Sequence, residues 1–418
     1  MQAWRYYLLR TLARIPLLLV MFTLDIVVFN SYLFPFEGAP FNQVISRIFW
    51  TFHIFAYLAF LTVPATSFTA IKNPLTRDFN ALLTGLYISK FVGLLLFALG
   101  AILLGAMEGI NSFSEFGWDI RGSWYLLRAA SLISAFILFG LLFYGMIRNR
   151  YRFQLRKVSV PIANLPKELD GFVIVQFSDA HLGSISKPEA IRPGIAMINA
   201  QNPDLVCFTG DLVNNQAREA IPFVPELSKI ESKYGVVSIL GNHDYGDYTG
   251  WSSLEEKTNN MESLVEVHKD LNWILLQDEV HTLTVDDQEI SIIGVQNISG
   301  KGRFKNYGDL KKAYSASTAG LKILLTHDPS HWRSEVLDYK DIRLSLSGHT
   351  HGMQFGFEFS KSLRWSPVKW VYKEWAGLYQ EGEQYLYVNR GFGYLGYPGR
   401  VGILPEITRI ELKAVSNQ

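Results

Sequence analysis

Five short stretches of this 418-residue chain end in side chains that bind metals or move protons: SDAHLG, TGD, GNHD, HDP and GHTHG. They supply Asp179, His181, Asp211, Asn242, His243, Asp244, His327, His349 and His351. Five of the nine histidines are used this way. Imidazole and carboxylate together form the donor set of divalent transition metals, whereas magnesium alone prefers oxygen and water. Taken singly, each stretch has a plain structural explanation. GD is a common turn, GNHD suits a tight loop with a helix cap, and an HxH pair suits a polar hairpin turn. All five together, in order and each behind an apolar run, argue for one shared site.

The runs that must position them are GFVIVQF, DLVCFT, GVVSIL, LKILLT and RLSLS. They are short, rich in β-branched residues and separated by helix-like stretches, the pattern of an α/β domain. In open α/β sheets the carboxyl ends of the strands share a crevice, so residues placed just beyond them converge. Alternate residues of an extended segment point the same way only while the strand lasts. In GHTHG the flanking glycines let the chain turn, so His349 and His351 can reach two neighbouring points.

The order DxH…GD…GNHD…H…GHxH, spread over roughly residues 160–418, resembles the calcineurin-like metallophosphoesterase superfamily. The resemblance implies an α/β domain of two mixed β-sheets sandwiched by helices. It also implies two divalent ions, manganese foremost, with iron, zinc, nickel or magnesium as alternatives. One ion would be held by Asp179, His181, Asp211 and His351, the other by Asp211, Asn242, His327 and His349. Such a pair acidifies water near neutral pH and spreads the charge of in-line attack on phosphorus. By the same resemblance His243 is no ligand; it would hydrogen-bond a phosphoryl oxygen or protonate the leaving group. Asp244 would orient or charge His243. His53, His268, His281 and His331 fall outside the set, and a surface role is expected for His331.

Upstream the composition changes. Residues 1–150 carry eleven Lys/Arg against six Asp/Glu, the remainder 28 against 32, and the whole chain is +1. That balance excludes a strongly basic nucleic-acid binder, and no nucleic-acid partner is expected. One cysteine, Cys207, excludes an internal disulfide framework and suits a reducing compartment. Four segments, 15–34, 44–68, 81–106 and 124–147, are long enough to cross a bilayer, which takes roughly 20 apolar residues. The first is read as a retained anchor because it lacks a small-residue cleavage site. Arginines and lysines at the N-terminus, in AIKNPLTRD and in MIRNRYRFQLRK put both termini and the catalytic domain in the cytoplasm, on a multi-pass inner-membrane protein. The expected organisation is a four-helix transmembrane domain over 1–147, a basic juxtamembrane linker over 148–165 and the metallophosphoesterase domain over 166–418. Asp25 and Lys90 share a depth in the first and third spans and are expected to form an ion pair, with His53 as a third ionisable group.

For substrate, LPKELDGFVIVQFSDAHLG and YVNRGFGYLGYPGRVGILPEITRIEL are similar to a membrane-associated bacterial branch of phosphohydrolases. Some members of that branch are UDP-2,3-diacylglucosamine pyrophosphohydrolases. GMQ after GHTH replaces the GGQ common in the branch, and four spans exceed its usual single anchor. FSKSLRWSPVKWVYKEWAGLY interleaves Lys361, Arg364, Lys369 and Lys373 with Trp365, Trp370 and Trp375, which suits a lipid interface; core packing is the alternative. Arg390 and Arg400 are candidates for binding a second phosphate. The expected activity is cleavage of a phosphodiester or pyrophosphate in a lipid-linked substrate at the cytoplasmic face. The alternatives are hydrolysis of soluble nucleotides or phosphoproteins by an anchored enzyme, and an inactive membrane scaffold.

Overall fold

The computed structural model describes residues 15–29, 42–62, 74–113, 121–360 and 363–415. The chain separates into two units, residues 1–146 and 147–418. The first holds α1 (Ile15–Val28), α2 (Asn42–Thr62), α3 (Pro74–Phe113) and α4 (Arg121–Tyr144), the last running into a π-helical turn at Gly145–Asn149. Four helices fall where four spans were expected, but among the described residues only Ala81–Ile110 and Ser123–Asn149 are long and apolar enough to cross a membrane. α1 has only 14 residues, and the rest of the span expected to residue 34 lies largely outside the described residues. α2 has 21 residues, and residues 63–68, where the second expected span ends, are likewise not described.

α3 and α4 pack through small residues. A Cβ on Gly93 would stand 2.9 Å from Ala135 Cβ and 3.0 Å from the Ser131 carbonyl, and one on Gly100 would collide with Leu127. Such close backbone approach is how helices associate where lipid offers no hydrophobic gain. Asp25, fully buried, contacts the Lys90 ammonium and the Tyr57 hydroxyl. His53 Nε2 lies 3.4 Å from Asp25 and 2.8 Å from Lys90 Nζ. The expected pair is therefore a triad linking α1, α2 and α3.

In the second unit two six-stranded mixed sheets face each other. The first has the order β1-β14-β2-β3-β4-β5 and the second β12-β13-β9-β8-β7-β6. In chain order the strands are β1 (Gln154–Ala163), β2 (Val173–Phe177), β3 (Leu205–Phe208), β4 (Val236–Ser238), β5 (Trp273–Leu275), β6 (Glu279–Val285), β7 (Gln288–Gly294), β8 (Leu321–Leu325) and β9 (Ile342–Ser347). A two-stranded hairpin, β10 (Phe357–Glu358) and β11 (Arg364–Trp365), precedes β12 (Gly377–Glu381), β13 (Gln384–Val388) and β14 (Glu406–Val415).

Strand alternation builds three layers of core. Ile174, Leu205, Val237, Ile292, Ile323 and Leu344 meet between the sheets. Val175, Phe177 and Phe208 point the other way, onto Ile195, Ile198 and Leu264 of the helices Arg192–Asn199 and Leu254–Asp270. Leu324, Leu386 and Val388 cover Trp332 and Leu310 on the opposite side. The stretch expected to be a linker, 148–165, instead supplies β1, which pairs with β14 over ten residues from Gln154↔Glu406 to Ala163↔Val415. QLRKVSVPIA alternates like a strand, and Pro161 is tolerated because β1 is an edge.

Candidate metal centre

The carboxyl ends of β2, β3 and β4 carry Asp179 and His181, Asp211, and Asn242 to Asp244; those of β8 and β9 carry His327, His349 and His351. These loops come together where the two sheets meet. Gln176 of β2 donates to the Ser347 carbonyl of β9 at 2.9 Å, and the His349 backbone N–H donates to both Asp179 carboxylate oxygens at 3.0 Å. The turns are abrupt. Asp179, His181, Asp211, His349 and His351 all take positive φ, between 44° and 71°. Non-glycine residues in that region are uncommon and gather at functional sites, where surrounding contacts hold the strain.

Two clusters result, Asp179–His181–His351 and Asp211–His327–His349, and within each the candidate ligand atoms lie within 4.8 Å of one another. His181 Nε2 and His351 Nε2 are 3.0 Å apart, and His349 Nδ1 and His327 Nε2 are 3.3 Å apart. Asp211 Oδ2 stands between the clusters, 3.5 Å from His181 Nε2 and 3.2 Å from His327 Nε2. Asn242 Oδ1 is buried without a hydrogen-bond partner, while its amide donates to Tyr248 Oη at 2.9 Å. Converging nitrogens and carboxylates with an orphaned amide oxygen fit divalent cations, since buried polar atoms otherwise find partners.

The far nitrogens of the rings are fixed by protein groups, which is how metal-binding histidines are usually aimed. His181 Nδ1 meets Asn214 Oδ1 at 3.1 Å, and His327 Nδ1 donates to the Thr209 carbonyl at 2.7 Å. His349 Nε2 meets Tyr372 Oη at 2.8 Å. His243 donates Nδ1–H to the Asn214 carbonyl at 2.8 Å and is half-buried.

Protonation follows burial and charge. Burial holds His181 well below the usual imidazole range. At His327 burial acts downward too, but the adjoining Asp211 carboxylate outweighs it and lifts the ring to about 10. Burial opposes ionisation of Asp211, yet the neighbouring imidazoles, His327 first and then His243, carry it well below the carboxylate range. Asp244 goes the other way, pushed up to about 7 by burial and then by the Asp211 charge.

Several expectations need correction. Asp244 does not orient His243. Its carboxylate accepts backbone N–H groups from Asp211 (2.8 Å), Gly241 (2.8 Å) and Val213 (3.1 Å), so it fastens the ligand-bearing loops. Arg390 and Arg400 are buried and engaged internally rather than offered to a phosphate. Arg390 pairs with Glu406 at 2.5 Å and Glu358 at 2.7 Å, and Arg400 donates to the carbonyls of Arg390 (2.7 Å) and Gly391 (3.1 Å). His331 is fully buried between Thr326 and Glu335, not on the surface. Of the three tryptophans, Trp375 is core, Trp365 half-buried and Trp370 72% exposed.

Sequence reasoning missed Asn214, Tyr248, Phe304 and Tyr372. Phe304 lays its ring 4.7 Å from that of His349, and Tyr248 lies 4.5 Å from His243. Asn214 had a signal, as a polar residue in GDLVNN close behind a strand-end aspartate. The aromatics lie in long loops with no local pattern.

An α/β sandwich that gathers two Asp/His clusters at its strand ends is the class of metal-dependent phosphoester hydrolases. The chain belongs to the calcineurin-like phosphoesterase family, whose sequence model matches residues 172–353. It is similar to a Bacillus subtilis protein named "Uncharacterized metallophosphoesterase YkuE", 35% identical over 257 residues, 60% of this chain and 82% of that one. The Campylobacter jejuni "Uncharacterized metallophosphoesterase Cj0846" is 32% identical, over 69% of this chain and 71% of that protein. A zebrafish "Transmembrane protein with metallophosphoesterase domain" is 30% identical over 65% of this chain, which spans 60% of the fish protein.

Proposed function

We propose that this chain is a two-metal phosphohydrolase that cleaves a phosphodiester or pyrophosphate bond in a lipid-linked substrate at the cytoplasmic face of the inner membrane. The observation that carries the two-metal reading is Asp211, whose one carboxylate oxygen is near the imidazoles of both clusters. Asp179, His181, Asp211 and His351 would hold one ion, and Asp211, Asn242, His327 and His349 the other. Manganese is the first candidate, and iron, zinc, nickel or magnesium the alternatives. Bound there, such ions supply Lewis acidity, lowering the pKa of water and neutralising charge on the phosphoryl group.

The chain's own groups do the rest. His243, with Nδ1 anchored on the Asn214 carbonyl, keeps Nε2 for the substrate; when Nε2 is protonated as well, it would donate a hydrogen bond to a phosphoryl oxygen or give that proton to the departing oxygen. As the P–O bond to the leaving group breaks, a water oxygen takes its place on phosphorus. Half-buried His243 would face the side from which substrate enters.

The lipid-linked reading is supported by the two apolar helices of membrane-crossing length and by the exposed aromatic segment after His351. The zebrafish relative's name, which describes that protein as transmembrane, points the same way. Product analysis on UDP-2,3-diacylglucosamine tests it, using detergent-purified full-length protein with manganese against Asp211→Ala and His243→Ala. UMP and a lipid monophosphate are expected only with the intact site. Cleavage of a generic aryl phosphodiester without lipid products would leave the chemistry and remove the lipid assignment.

A further inference from the structure

Directly after His351 the chain leaves the metal centre for the β10–β11 hairpin and the short turn Pro367–Trp370. It returns at Tyr372, whose hydroxyl meets His349. This excursion holds six large apolar side chains in the open: Met353 (57% exposed), Phe357 (39%), Phe359 (79%), Leu363 (56%), Trp370 (72%) and Val371 (36%). The aromatic ones are continuous. Ring centroids are 5.5 Å apart for Phe357–Phe359, 6.0 Å for Phe357–Trp365 and 5.7 Å for Trp365–Trp370. Val368, Tyr372, Trp375, Ala376 and Ile403 form a small core of their own that seats the patch on the domain. A contiguous apolar patch on a soluble face marks an interaction site, whereas single exposed apolar residues mean nothing.

The charges say what kind of partner fits. Among the described residues from Met353 to Glu374 the exposed charged side chains, Lys369 and Lys373, are both cations. Its two acids are neutralised internally, Glu358 by Arg156 and Arg390, and Glu374 by Arg333. The loop carrying Lys301 meets the same rim, with the Lys301 ammonium 4.6 Å from the Tyr372 ring. Tryptophan settles at the membrane–water boundary, and lysines are drawn to anionic headgroups.

We propose that the β10–β11 hairpin and the turn after it dock on an anionic phospholipid surface, with Phe359, Leu363 and Trp370 in the interfacial layer and Lys369 and Lys373 at the headgroups. Because the excursion begins two residues after one candidate ligand and ends on the tyrosine that holds another, docking opens the metal centre onto the lipid surface. The inference rests on the membrane reading above for the nearness of a bilayer, but not on any particular substrate.

The test uses the full chain in vesicles of phosphatidylethanolamine and phosphatidylglycerol. Cys207 is buried, so Phe359→Cys and Lys269→Cys each present one accessible thiol for a nitroxide. The ratio of collisions with oxygen to collisions with a nickel chelate should be several-fold higher at 359 than at 269. In parallel, brominated phospholipid should quench wild-type fluorescence more than that of Trp370→Phe, a reading that needs no cysteine variant. Equal nickel access at both positions would overturn the proposal. So would shielding of position 359 from both reagents, which would mean that protein covers the patch. Neither readout depends on turnover, so a failed docking test leaves the hydrolase assignment standing, and an inactive preparation leaves the docking result intact.

Discussion

On the proposed reading His243 would touch the substrate, and Asn214, which meets both His243 and His181, would aim the rings. His243 is outside both clusters, and its ring is held through Nδ1 on the Asn214 carbonyl. His243→Gln should therefore keep its bound metal while kcat on an aryl phosphodiester falls about 10²- to 10⁴-fold, the usual worth of a positioned acid or base. Equal loss of metal and rate would instead place His243 among the ligands. Asn214 also meets His181 Nδ1 through its side chain. Asn214→Ala should weaken metal binding by about 10- to 100-fold, as loss of an outer partner of a metal-binding histidine does. A metal titration followed by calorimetry reads this directly, and unchanged affinity would show that His181 needs no such support.

At the scale of elements, the carboxyl ends of the strands were legible because five apolar runs each stop at a metal-competent residue. The sharp left-handed turns at Asp179, His181, Asp211, His349 and His351 were not, since no local pattern encodes a strained backbone that distant contacts hold. β1 was misread as a linker because Pro161 and its basic residues look like punctuation until β14, some 250 residues later, supplies the pairing edge. Arg390 and Arg400 were misread for the same reason. Arg390 finds Glu358 and Glu406 and Arg400 the carbonyls of Arg390 and Gly391 only once the loops fold back, and an arginine among glycines gives no hint whether it faces substrate or core.

The Arg390–Glu406 pair joins the end of β13 to the start of β14, and Glu406 also accepts from Tyr387 at 2.7 Å and Thr408 at 2.6 Å. Burial works against the Glu406 carboxylate, but Arg390 and these hydrogen bonds hold it below the ordinary glutamate range. A depressed carboxylate stabilises the fold above its unfolded pKa of about 4.3 and loses that contribution as pH falls through the folded value. Glu406→Gln, which leaves a buried guanidinium short of its partner, should cost about 3–5 kcal/mol near neutrality. Measured by denaturant unfolding, the gap between variant and wild type should shrink once the pH drops below about 4. A gap independent of pH would mean that the pair's charges contribute nothing.

At the scale of the whole molecule the chain combines a helical unit carrying two helices of membrane-crossing length with a hydrolase unit whose chemistry is concentrated at one end of a sandwich. The split was visible in composition alone, through the fall in apolar blocks near residue 150. The number of spans was not: among the described residues two helices are long and apolar enough, α1 has only 14 residues, and the far ends of the first two expected spans lie outside the described residues. The Asp25–Lys90 pair could be read from shared depth, but the arrival of His53 and Tyr57 depended on how three helices pack.

The central claim is that Asp211 joins two metal ions into one catalytic centre. Metal analysis of the full-length protein, loaded with manganese in detergent and freed of excess ion, tests it most directly when paired with Asp211→Asn. Two ions per chain are predicted for the wild type, with loss of both and of aryl phosphodiester cleavage in the variant. A wild type that retains no divalent ion, or a variant that keeps two ions and full turnover, would contradict the account.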